Sequence, residues 1–246
     1  MTGDPGAVHL PVGPHDDEPH TESFGARLNW LRAGVLGAND GIVSIAGLVM
    51  GVAGATSDRT AILVAGLAGV VAGAISMAAG EYVSVSTQRD SERALLDKER
   101  RELAEDPHDE LAELAGMYMQ KGLSEELARE VAVELTEHDA LAAHADIELG
   151  IDPGDLTNPW AAAWASFLAF TVGAMLPLLT ITLASATLRI PLTVVSVAVA
   201  LALTGWTSAR LGYGPTGRAV LRNVTGGLVA MGVTYAVGSA VGTQIG

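Results

Sequence analysis

The sequence predicts an all-α integral membrane protein: five transmembrane helices, with a three-helix cytoplasmic domain inserted between spans two and three. Three observations carry this. Five apolar segments each approach the ~20 residues that a bilayer crossing requires. The chain is 49% hydrophobic and only 17% charged, with 29 glycines among 246 residues, which is membrane-protein composition. Charge is also segregated: residues 88–152 hold 19 Asp/Glu against 7 Lys/Arg, whereas residues 156–246 hold no Asp or Glu. A net charge of −14 makes the chain a poor nucleic-acid binder, because phosphate neutralisation needs Lys and Arg. The absence of cysteine excludes disulfides, thiolate metal sites and cysteine nucleophiles.

Residues 1–24 are rich in Pro, Gly, Asp and His and lack the basic and apolar regions of a signal peptide. They read as a disordered tail in which His9, His15 and His20 could bind metal only loosely. Residues 25–87 carry spans one (about 30–54) and two (about 60–86), broken at Thr56-Ser57-Asp58-Arg59. Nothing breaks the helical pattern between span two and residue 105, so span two is expected to run on into the cytoplasm. Residues 88–152 form the acidic domain. Asp106-Pro107 ends the long helix, and Asp106 is expected to cap the next. Gly122 ends that one, and Ser124 caps a third running to about Leu149.

Residues 153–246 carry spans three (about 159–185), four (about 190–210) and five (about 218–243). The breaks between them are Arg189-Ile190-Pro191 and Gly212-Tyr213-Gly214-Pro215. Trp160, Trp164 and Trp206 suit interfacial positions, and Pro177 is expected to kink span three. Gly69-x-x-x-Gly73 and Gly238-x-x-x-Gly242 are spaced for close helix approach. Basic residues set the orientation. With the N-terminus and the acidic domain cytoplasmic, Arg27, Arg32, Arg210, Arg218 and Arg222 lie inside and only Arg59 and Arg189 outside. Five spans then put the C-terminus outside.

Asp40 is the residue most in need of explanation. It is the only acidic residue in the stretch Leu31–Ala55, and a carboxylate at mid-membrane costs about 2.5–3.5 kcal/mol on insertion scales. Such groups face a cavity, a partner or a cation, and by default they mark an ion or proton path. Gly37 and Gly41 are expected to leave the helix face beside Asp40 open to an ion. In span two, Met77 and Glu81 share a face one turn apart. A thioether accepts the softer first-row cations and offers little to Mg²⁺ or Ca²⁺. In the acidic domain Glu99 and Glu102 are three apart, and Glu110 and Glu113 repeat that spacing after the turn. His144 and Glu148 are four apart on the third helix. Facing carboxylates with a histidine suit hard or borderline cations.

Taken together, these residues resemble the vacuolar iron transporter (VIT) family of divalent-metal transporters over residues 27–246. The most specific marks are Asn39-Asp40-Gly41 and Gly73-Ala74-Ile75-Ser76-Met77, with Glu148-Leu149-Gly150 and Leu176-Pro177-Leu178 in support. The resemblance implies a homodimer, with a path along its axis lined by spans one and two, and proton-coupled export of Fe²⁺, often also Mn²⁺, from the cytosol. It places Asp40 and Met77 on that path, with Asn39 beside them, and Glu81 is our own addition as an entrance carboxylate. It also assigns Glu99, Glu102, Glu110, Glu113 and Glu148 to metal capture, with His144 where the family carries a methionine pair. Further path carboxylates of the family are replaced here by Asn29, Ala33 and Gly69. The expected activity is transport rather than catalysis, with metal and protons as substrates and no tightly bound cofactor. A Gly/Ala-rich body fits a bacterial plasma membrane. Two rivals are a membrane-anchored di-metal oxidase, disfavoured because the candidate ligands on the acidic helices are spaced Glu-x-x-Glu and His-x-x-x-Glu, and a metal sensor or buffer with an inert anchor.

Overall fold

The computed structural model describes residues 24–212 and 214–245, with side chains from Arg32 to Gln244 except Tyr213. The N-terminal tail and its three histidines lie outside the described residues, as do the side chains of Arg27 and Asn29. All regular structure among the described residues is helical. In chain order the helices are α1 (Phe24–Ala55), α2 (Arg59–Glu105), α3 (Pro107–Gln120), α4 (Glu125–His144), a π-helical turn (Ala145–Leu149), α5 (Pro159–Leu183), α6 (Arg189–Leu211) and α7 (Thr216–Ile245). Five of them, α1, α2, α5, α6 and α7, are long and apolar enough to cross a membrane.

Local chemistry explains where these helices begin. Asp58 caps α2, its carboxylate accepting from Thr60 N–H at 2.8 Å. Asn158 caps α5 by accepting from Trp160 and Ala161 N–H, with Pro159 in the first turn, where a missing N–H costs nothing. Ser124 caps α4 through Leu127 N–H. The expected Asp106 cap is not made. Its side chain accepts no capping bond, and only its carbonyl receives Asp109 and Glu110 N–H. The third insert helix also departs from the unbroken run expected to Leu149. Asp139 leaves helical geometry at φ −160°, and its side chain instead caps Ala142 N–H, so the chain kinks before His144 and finishes as a π-turn. Gly150 then takes φ +63°, a left-handed conformation that favours glycine, and ends the segment.

α2 is 47 residues long. At 1.5 Å per residue it measures roughly 70 Å, more than twice the ~30 Å hydrocarbon core. Its apolar first half therefore spans, and its charged second half projects to meet α3 and α4. Glu92 on the projecting half accepts from both the N–H (3.2 Å) and the hydroxyl (3.1 Å) of Thr157, which ties the insert to the segment before α5. Tyr82 stacks on Trp160 at 4.7 Å where α2 and α5 pass the same level.

α1 is the central span and packs on α2, α5, α6 and α7 around Ile42, Ile45, Val49, Phe170, Leu178 and Met231. Glycines let the backbones touch. A methyl group on Gly41 would strike Phe170, and one on Gly238 would strike the backbone of Gly51. Gly69 and Gly73 meet Leu48 and Phe170 of the same chain, and Gly242 meets Ala55. Both small-residue motifs are thus used inside the chain. Gly37 and Gly41 do not leave an open face beside Asp40, because α5 fills it at Ser166 and Phe170.

The end of the body away from the insert is closed by two arginines. Arg59 donates to the carbonyl of Ala184 at 2.9 Å. Arg189, 8% exposed, donates two bonds of 3.2 Å to the carbonyl of Ser57. Arg59 satisfies the C-cap carbonyl of α5, where the helix dipole favours a cation, and Arg189 ties down the loop between α1 and α2. Arg189→Ala removes these charge-assisted bonds and strands the carbonyl, a loss of about 1.5–3 kcal/mol. It is expected to lower the thermal midpoint of the detergent-solubilised protein by several degrees.

Candidate functional site

The insert gathers its ligands from three helices. Glu99 projects from α2, Glu110 from α3, and His144 and Glu148 from the end of α4 and the π-turn. Donor atoms of Glu99, His144 and Glu148 all lie within 4.8 Å of one another. His144 is fully buried, with Nδ1 2.9 Å from Glu99 Oε1 and 3.6 Å from Glu110 Oε2. The 2.9 Å approach is out of line for a hydrogen bond, so both ring nitrogens and Glu99 Oε1 are buried without one. Converging buried donor atoms left without a hydrogen-bond partner are what a cation satisfies. Glu102 and Glu113 stand around this group. Glu102 pairs with Lys98, and Glu113 acts electrostatically on Glu110 and His144. The structure thus brings Glu99, His144 and Glu148 together, sets Glu110 beside them, and leaves Glu102 and Glu113 on the rim.

Burial, reinforced by Glu148 and Glu110, pushes the Glu99 carboxyl up to about 7. Burial likewise raises Glu110, with Glu113 adding to it. Burial lowers His144 against the pull of Glu148 and Glu113, which keeps the ring neutral and able to ligate. Without metal, the raised Glu99 value lowers stability as pH climbs from 4.5, its ordinary value, through about 7. Metal must displace that proton. Below pH 7 the affinity of the insert is therefore expected to fall up to tenfold per pH unit, while above pH 8 Glu99 adds no further dependence. Calorimetric titration of the full chain with Mn²⁺ at pH 6, 7 and 8 measures this.

Within the membrane body, α1 and α2 run antiparallel. Arg32 approaches Glu81 at 3.7 Å, and Gly69 meets Ile45 and Leu48. This register carries Asp40 to the level of residues 73–77, so Met77 stands near its depth. Asp40 lies eight residues beyond Arg32, roughly 12 Å along the helix. It accepts from the Ser44 hydroxyl at 2.7 Å and forms no ion pair among the described residues. Ser44 went unnoticed in the sequence, although an i, i+4 hydroxyl beside a carboxylate is a legible signal. Asp40 is half-buried on a face of α1 that exposes Leu36, Ser44 and Leu48. Met77 is partly buried against the core. Glu81 is largely covered, its side chain 13% exposed, with Arg32 beside it. Asn39 turns away from Asp40 and lines a cavity between α1, α6 and α7.

A family model described as the VIT family matches residues 31–239. The chain belongs to the VIT family. Among its relatives, a vacuolar iron transporter of Acanthamoeba castellanii is 47% identical over 67% of this chain and 59% of its own length. A VIT-like transporter 1b of Glycine max is 35% identical over 92% of this chain and 83% of its own. Vacuolar iron transporter homolog 2 of Arabidopsis thaliana is 36% identical over 92% of each. The match to the VIT model covers the first four spans, the acidic insert and most of the fifth span.

Proposed function

We propose that this VIT protein moves Fe²⁺, and Mn²⁺ by the same route, out of the cytosol in exchange for protons. Membership of a family whose relatives are named iron transporters supports metal transport over an oxidase or an anchored buffer. The observation that carries the mechanism is Asp40: a carboxylate at membrane depth whose one described side-chain partner is the Ser44 hydroxyl. A face that presents a carboxylate to lipid is costly, and a second copy of the chain covers it. In that homodimer two Asp40 carboxylates face one another with Met77 near their level. Each can hold a cation or a proton, and the exchange between them couples the two flows.

The insert is the collecting domain on the cytoplasmic side. Glu99, Glu110, His144 and Glu148 take up the ion, Glu102 and Glu113 raise the local cation concentration, and Glu81 passes the ion to Met77 and Asp40. Arg32 holds Glu81 at the entrance. Asn39 faces the neighbouring cavity and stands beside the path without being a ligand. The arginines at the insert end put that end inside, by the positive-inside rule, and the C-terminus outside. The composition fits a bacterial plasma membrane. The reading is tested with purified protein in vesicles carrying a metal-sensitive dye. Fe²⁺ and Mn²⁺ influx above that of protein-free vesicles is expected, with no oxygen consumption. Oxygen uptake without metal flux contradicts it and favours the oxidase.

A further inference from the structure

We propose that the cleft between α1, α6 and α7 is a binding site for an anionic phospholipid, its phosphate held by Arg222 and Arg32. The cavity is about 360 Å³ and is lined by Arg32, Asn39, Ser208, Arg222 and Asn223 among others. Its cations are under-compensated. No acidic residue occurs anywhere in residues 156–246, so α6 and α7 offer Arg222 no carboxylate. Arg222 makes no ion pair among the described residues. Among the described residues Arg32 pairs only with Glu81, at 3.7 Å, and its side chain is 60% exposed, so that one contact leaves donors available. The Ser208 hydroxyl and the two asparagine amides add neutral donors. The Asn39 side-chain oxygen is buried without a hydrogen-bond partner, which leaves that amide free to turn its NH₂ toward a bound oxygen.

A second cavity selects a lipid over a free anion. It is about 300 Å³, lies between α1 and α6, and is lined by Gly34, Val35, Ala38, Leu203 and Leu211 with two threonines. Val35 borders both cavities. A charged head and an acyl chain can therefore be seated side by side, with the head at the arginines and the chain against Leu203. The site also lies at headgroup depth. Arg32 is about two turns before Asp40, and Arg210 rests over the Trp206 ring at 5.4 Å, an aromatic–cation pair typical of the membrane interface. Basic pockets between membrane helices at this level hold anionic headgroups.

The test is native mass spectrometry of the full chain, released from nanodiscs of mixed phosphatidylglycerol and phosphatidylcholine. Wild type is expected to retain phosphatidylglycerol selectively, at one molecule per protomer. Arg222→Ala should reduce that retention about fivefold, the worth of one arginine at an anionic surface. Thr207→Phe, which fills the apolar cavity, should reduce it while leaving the arginines in place. Millimolar glycerol phosphate should not displace the lipid. Equal retention of the zwitterionic lipid, or wild-type retention by Arg222→Ala, overturns the proposal. Displacement by glycerol phosphate overturns it in favour of a soluble phosphate ligand. If Arg222→Ala does not fold, Thr207→Phe decides alone: reduced retention supports the site and unchanged retention overturns it.

Discussion

Asp40→Ala is expected to reduce metal flux in vesicles to the protein-free background, a loss of at least about 100-fold, while metal binding by the insert stays unchanged. The substitution removes the acidic group at membrane depth in α1 and leaves Ser44 and Met77 in place. A thioether alone does not compensate a divalent cation in a low-dielectric setting, so the barrier to crossing rises steeply. Asp40→Asn sharpens the test, because the amide keeps shape and hydrogen bonding but can neither ionise nor carry a proton. Both variants should fold. Removing a buried charge relieves a desolvation penalty, so the thermal midpoint is expected to hold or rise. Tracer flux and a melting curve on the same preparations check both statements. A variant that transports like wild type removes Asp40 from the path.

The second large effect is expected at the insert. Glu99→Gln and His144→Ala each remove a donor from a converging set of buried, unpaired atoms. Metal affinity should fall 10- to 100-fold for each, the usual consequence of degrading a metal's ligand shell. The two differ in pH dependence. Glu99→Gln weakens the fall in affinity just below pH 7, because the carboxyl held near 7 is gone and the raised Glu110 remains. His144→Ala retains it. At saturating metal, neither should reduce maximal flux as Asp40→Ala does, since collection and crossing are separate steps. Calorimetry across pH and flux at several metal concentrations distinguish them.

The helices were legible in the sequence because their signals are local. Apolar length, the break at 56–59, Pro107 and the Ser124 cap each act within a few residues, so the five long helices lie where hydropathy and breakers put them. Spacing singled out Glu99 with Glu102 and Glu110 with Glu113, but it is Glu99 and Glu110 that approach His144. What escaped depended on neighbours distant in the chain. Gly37 and Gly41 read as an open face until α5 was seen to fill it. Arg59 and Arg189 read only as orientation signals, although they bind carbonyls about 125 and 132 positions away. The glycine motifs of α2 and α7 pack within the chain, a fact that spacing does not encode. The kink at Asp139 is a local competition between side-chain capping and helix continuation. It has a consequence at the site, because the helix turn carrying His144 toward Glu99 begins there.

Proton coupling through Asp40 is tested most directly by recording Fe²⁺ influx and lumenal pH together in the same vesicles, in a series of imposed pH gradients. Exchange predicts that an acidic lumen drives metal inward, that the lumen alkalinises in fixed proportion to the metal gained, and that both signals vanish in Asp40→Asn. Metal influx indifferent to the gradient, with no change in lumenal pH, contradicts it.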